Sequence, residues 1–160
     1  MSPVRSVVIE FDPLEPEEVV ARMAGMVERR QGWINFEPKI PDDLEPPTSG
    51  AFTGLFSNRG PAIPLCTWTA PARSRKGVVG PQSIGIQHER GTRARDRLAE
   101  VNVAVPEGWI VRGDHPKRGL VVELPAETDV AMVLDWLLAA GEVLVMLPIT
   151  GRWSAVVYEG

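Results

Sequence analysis

Two short stretches of this 160-residue chain carry the residue types that could do chemistry: His88-Glu89-Arg90-Gly91-Thr92 and Gly113-Asp114-His115-Pro116-Lys117-Arg118. Between them they hold both histidines of the chain. An imidazole titrates near neutrality, so either one could serve as a general acid or base, with Asp114 to orient the ring. Arg90, and a helix opening at Gly91-Thr92 with free N–H groups, would suit a phosphate, a sulfate or a carboxylate. The site residues expected on this basis are His88, Arg90, Gly91, Thr92, Asp114, His115, Lys117 and Arg118, as ligand-binding rather than catalytic groups. Each also has an ordinary reading: either histidine alone is most simply structural, and Asp114 suits a turn.

No complete catalytic or cofactor motif surrounds them. His88-Glu89-Arg90-Gly91-Thr92 opens like a zinc-protease helix, but position 92 is Thr, so the second metal ligand is missing. Neither glycine-rich phosphate loop is present, and neither is a Gly-x-Ser-x-Gly elbow. Cys66 is the only cysteine, which excludes an intrachain disulfide and a multi-cysteine metal site; it reads as a buried thiol. No cofactor and no metal are expected.

The electrostatic signal is a mismatch. The helix beginning near Thr92 follows Arg90 and carries Arg93, Arg95 and Arg97 in its first two turns. Cations there oppose the helix dipole, each by about 0.3–1 kcal/mol when exposed. The other two expected helices place charge where the dipole favours it, and local violations of this kind concentrate at functional sites. The competing account is a solvated basic face, paired with Asp96, Glu100 and the acidic N-terminal half.

The elements that would position these residues follow from periodicity. Val7, Ile9 and Phe11 alternate as a strand. Pro16 with Glu15, Glu17 and Glu18 opens a helix whose apolar stripe is Val19, Val20, Met23, Met26 and Val27. Arg29 and Arg30 suit its end, Gly32 can stop it, and a strand follows at Trp33–Phe36. Residues 38–82 read as a long Pro- and Gly-rich loop region with a short strand at Leu65–Thr69 and an exposed basic loop at Pro71–Gly80 that contains Arg73-Ser74-Arg75-Lys76-Gly77. Within it Phe52, Leu55 and Phe56 are apolar enough to dock on the body or on a partner. Then come a strand at Ser83–His88, a short helix at Thr92–Val101, strands at Trp109–Arg112 and Leu120–Leu124 joined by a turn, a helix capped by Asp129 and ended by Gly141, and strands at Val143–Leu147 and Trp153–Tyr158.

The fold class expected is α+β. Residues 1–37 form an N-terminal β-α-β, and 83–160 form a ferredoxin-like β-α-β-β-α-β unit with a final strand, all in a single domain spanning 1–160. In that topology the end of the first strand, the start of the first helix and the hairpin turn share one sheet edge, which brings the two chemical stretches together. Val7–Phe11 and Leu120–Leu124, each followed by a helix and a strand, echo one another, as any two β-α-β units would.

Composition sets the outer bounds. The net charge of −4 conceals a basic middle: residues 71–120 carry 10 basic and 5 acidic side chains, while 1–70 carry 6 and 10, and 121–160 carry 1 and 6. A basic segment between acidic ends suggests a patch that meets anions. Arg outnumbers Lys 14 to 3. The N-terminus lacks the apolar core of a secretory signal, and Val130–Ile149 is broken by Asp135, Glu142 and Pro148, so a cytoplasmic chain with no membrane span is expected. Nucleic acid is not the expected partner. On the strand where an RNA-recognition fold stacks bases on aromatic rings, this chain has Leu120 and Val122, which lack a π face.

The reading favoured is a non-catalytic domain that binds a protein partner or a small anion. Its helix-free sheet face must be covered by the N-terminal half or by a second copy in a homodimer. The alternative is an enzyme acting on a phosphorylated or carboxylated metabolite, with His88 or His115 as general acid/base. An enzyme should bring both imidazoles into one concave pocket, whereas a binding domain should leave at least one in packing or in open water.

Overall fold

The computed structural model describes residues 5–44, 61–91 and 93–159. Phe52, Leu55 and Phe56 of the expected docking loop, and Thr92 of the expected site, lie outside the described residues.

Seven strands, β1 (Arg5–Phe11), β2 (Trp33–Pro38), β3 (Leu65–Thr69), β4 (Gln82–Gln87), β5 (Ile110–His115), β6 (Gly119–Leu124) and β7 (Trp153–Glu159), form one antiparallel sheet in the order β1-β7-β2-β3-β4-β6-β5. Three helices complete the α+β fold: α1 (Glu17–Arg29), α2 (Ala94–Glu100) and α3 (Val130–Leu144). Since β1 and β2 both run antiparallel to β7, they are parallel to one another with β7 between them. β4 and β5 flank β6 in the same way. The sheet therefore holds two split β-α-β units, β1-α1-β2 and β4-α2-β5, joined through β3. The echo between Val7–Phe11 and Leu120–Leu124 does not match this symmetry, because β6-α3-β7 crosses three intervening strands, whereas β1-α1-β2 crosses one.

Alternation decides which face is buried. Ile9, Phe11, Ile34, Phe36, Cys66, Trp68, Ile84, Ile86, Leu120, Val122, Trp153, Ala155 and Val157 pair with one another across the strands and are all buried. The helices lie on that side. α1 contributes Val19, Met23 and Met26, α2 contributes Ala94 and Leu98, and α3 lies between them in contact with both. That position explains why α3 is apolar nearly all round.

The expected strand at Val143–Leu147 is absent. Helix α3 runs on to Leu144 and passes straight through Gly141, so that glycine does not end it. Its role is close packing: a Cβ there would lie 2.6 Å from Trp153 Cη2 and 3.1 Å from Cys66 Sγ. A short apolar run fits a buried helix as well as a strand, and here the helix prevails because α1, α2 and the sheet cover three of its sides. The strand that follows α3 is β7. Asp129 does cap α3, its Oδ1 accepting from the Ala131 N–H at 3.3 Å. Among the described residues, no helix is long and apolar enough to cross a membrane.

Candidate functional site

The two stretches singled out from sequence do meet. β4 ends at Gln87 with His88 following, and Gly119, at the start of β6, packs against the backbone of Ile86 and Gln87. His115 pairs with Gly119 across the β5–β6 hairpin. The start of α2 joins them through Asp114, whose carboxylate accepts from the Ala94 N–H at 3.1 Å and the Arg95 N–H at 3.0 Å.

A β-bulge makes that contact. Ile110 pairs with Glu123 and Val111 with Val122, but then the register shifts and Gly113 pairs with Val121, leaving Arg112 as the extra residue. Without the shift, Asp114 would share a face with Ile110, away from the helices. With it, Asp114 pairs with Leu120 on the helix side, directly under α2. Bulges re-aim side chains in this way. The signal in the sequence was Gly113 within a strand pattern, which marks a bulge as readily as a turn.

The mismatch between the arginines and the dipole is thus met inside the chain. Asp114 supplies a carboxylate to the amides that open α2, while Arg93, Arg95 and Arg97 point to solvent. Arg90 serves a different helix: its Nη2 donates to Val145 O at 3.2 Å, placing a cation at the C-terminus of α3. Gly91 has φ +85 with nothing near its missing Cβ, so it is a conformational glycine. His115 is exposed, and its Nδ1 accepts from the Lys117 and Arg118 N–H groups at 3.1 and 3.2 Å; the side chains of those two residues are exposed.

His88 is fully buried. Its Nδ1 accepts from the Arg90 N–H at 3.1 Å, so the neutral ring carries its proton on Nε2, which has no hydrogen-bond partner. Burial lowers the His88 pKa from its ordinary value; Asp114 opposes that shift, and Arg97 and Arg90 add to it. The two imidazoles therefore share a sheet edge but not a pocket. A groove of about 360 Å³ opens elsewhere, lined in part by Glu10, Glu37, Lys39 and Asp42, and neither histidine lines it. Burial raises the Cys66 thiol pKa strongly, reinforced by Glu37, so the thiolate is suppressed. Among the described residues, no group of His, Cys, Asp or Glu could hold a metal ion.

No family model, curated protein or solved structure matches this chain. The site is therefore read from its geometry alone, and two of its contacts give measurable expectations. Asp114→Ala removes a bidentate cap and should destabilise the fold by about 1–2 kcal/mol. In thermal denaturation that corresponds to a fall of roughly 2–8 °C for a chain of this size. Asp114→Asn, which keeps an acceptor, should recover part of the loss.

The second expectation concerns pH. Above about 6.5, His88 is neutral in both the folded and the unfolded chain, so it contributes no pH dependence. Below that value the unfolded chain takes up a proton that the folded chain resists, and stability falls with a slope of up to about 1.4 kcal/mol per pH unit until the lowered folded pKa is reached. His88→Asn retains an acceptor for the Arg90 N–H and removes the titration. Urea denaturation from pH 7.5 down to about 5 should show wild type losing more stability than the variant across this window.

Proposed function

We propose that this chain is a non-catalytic protein-binding domain that receives its partner on the helix-free face of its sheet. The observation that carries the reading is the makeup of that face. Across it run Val8, Val156, Asn35, Thr67, Gly85 and Val121, with Trp33 stacked on Tyr158 alongside, ring centroids 5.0 Å apart. Half-buried aromatic rings among uncharged residues match the enrichment of aromatics and the depletion of charge at the core of a protein interface. Charge on the face is not basic: Glu10 pairs with Lys39, Arg112 pairs with Glu123 at 3.2 Å, and Glu37 lies exposed on the same side. A surface that neutralises phosphates would instead show unpaired cations.

The non-catalytic half of the proposal rests on the imidazoles. One is enclosed in packing and the other accepts from its own turn, so the two imidazoles do not act as a general acid/base pair on a common substrate. We also read β4-α2-β5-β6-α3-β7 as a ferredoxin-like unit opened by insertion of β2 and β3 between its first and fourth strands. On that reading the N-terminal half widens the binding face instead of covering it.

Hydroxyl-radical footprinting tests the proposal on the purified full chain and on the same chain in an extract of its own cells. Trp33 and Tyr158 should be oxidised in the purified chain and protected in the extract, with Met132 on α3 unchanged. Equal oxidation of Trp33 and Tyr158 in both samples would remove the face as a binding surface. Phosphate added to the purified chain separates the anion-binding reading: a thermal shift abolished by Arg95→Glu or Lys117→Glu would favour it over the proposal.

A further inference from the structure

We propose that the outer edge of β1, which pairs with no strand among the described residues, is a self-association surface, on which two copies of this chain join β1 to β1 in antiparallel fashion about a two-fold axis at Val8. The two edges of the sheet are built differently. β5 carries the bulge at Arg112, places Arg112 against Glu123 and turns Asp114 inward to α2, devices that blunt an edge against further pairing. β1 has none of these. It pairs with β7 in unbroken register over its full length, from Arg5 opposite Glu159 to Phe11 opposite Trp153. It contains no proline, no lysine and no bulge.

The exposed apolar surface on β1 has the shape that an added strand would cover. Val7 is 40% exposed and Val8 is 61% exposed. They are neighbours at the middle of the strand, and alternation puts Val7 on the helix side and Val8 on the open side. A ligand on either face would cover one of them. A strand laid in plane beside β1 covers both, while its main-chain groups take up the unpaired N–H and C=O groups of the edge.

The strand is also complementary to itself. A two-fold axis at Val8 sets Val8 opposite Val8 of the second copy, Val7 opposite Ile9, and Ser6 opposite Glu10. Parallel pairing would stack like on like. Such an isologous contact closes at two copies, so it yields a dimer and not a fibre. It leaves the helix-free face open and does not depend on that face binding anything.

Sedimentation velocity of the full chain over a wide micromolar range tests the proposal. Wild type should shift from monomer to dimer with concentration, and Val8→Lys should stay monomeric with an unchanged melting temperature in dilute solution. Ile110→Lys, on the opposite edge and 50% exposed, should dimerise as wild type does. The Val8→Cys variant, whose only other cysteine is buried, should cross-link to a covalent dimer on mild oxidation. A wild type that stays monomeric throughout, or a dimer that survives Val8→Lys, would overturn the proposal. Failure of the Val8→Cys cross-link would overturn the register. None of these outcomes bears on the protection of Trp33 and Tyr158, so the two readings fail separately.

Discussion

A single methyl group added at Gly119 should destabilise this fold by about 3–5 kcal/mol, the range reserved for backbone strain combined with a steric clash that cannot relax. Gly119 opens β6 with φ +87, and a Cβ there would sit 2.0 Å from Ile86 O, 2.7 Å from Ile86 C and 3.0 Å from Gln87 Cα. All three are main-chain atoms of β4, so no side chain can rotate away. Relief requires β6 to slide off β4 next to the Leu120–Ile86 pair. That movement would carry along the hairpin that holds Asp114 and His115. Gly91→Ala is the control, because φ is +85 there but nothing lies within 4 Å of the added atom. Its effect should be limited to the left-handed backbone, about 1–2 kcal/mol. Urea denaturation of the two variants checks the difference. If Gly119→Ala is no worse than Gly91→Ala, the close approach of β6 to β4 is not what requires the glycine.

The second large effect is expected at Gln82, which is fully buried, as is His88. Its Oε1 accepts from Trp68 Nε1 at 2.9 Å, and its Nε2 donates to Ala126 O at 3.0 Å and Thr128 O at 2.9 Å. One amide thus ties the core tryptophan to the loop that leads into α3 and to the Asp129 cap. Gln82→Met fills similar space but leaves the buried indole N–H and the loop carbonyls without a partner. Each orphaned group costs about 1–3 kcal/mol, so a total loss of about 2–4 kcal/mol is expected. Gln82→Glu should be worse, because a carboxylate would face two carbonyl oxygens. Melting temperatures should fall by roughly 4–15 °C for Gln82→Met. A loss no larger than that of an exposed Gln87→Met control would show that solvent reaches these groups.

The helices were legible in sequence where side chains obey a local rule. The Val19, Met23 and Met26 stripe and the acidic first turn of α1 needed no tertiary information, and neither did the Asp129 cap of α3. The rules failed where one residue type answers to two causes. Gly141 reads as a helix stop, but it exists for the Trp153 and Cys66 side chains. Val143–Leu147 reads as a strand, yet its first residues continue a helix enclosed on three sides. Gln82 gave no signal, since nothing in its neighbourhood along the chain announces a buried amide.

At the candidate site, sequence reasoning brought the right segments together and left their contacts open. Residue order led to the expectation that His88, Arg90 and the start of α2 lie beside the Asp114–Arg118 hairpin, because strand alternation and connection lengths leave few ways to arrange a split β-α-β unit. It also determined the α+β class and the buried stripe of α1. Only the tertiary structure decided what each polar group does there. A one-residue bulge turned Asp114 toward the amides of α2, the carbonyl of Val145, 55 residues further along the chain, claimed Arg90, and packing enclosed one imidazole while the other stayed in water. The reason is physical: periodicity specifies which face a residue takes, but hydrogen-bond partners are set by register shifts and by contacts between segments far apart in the chain.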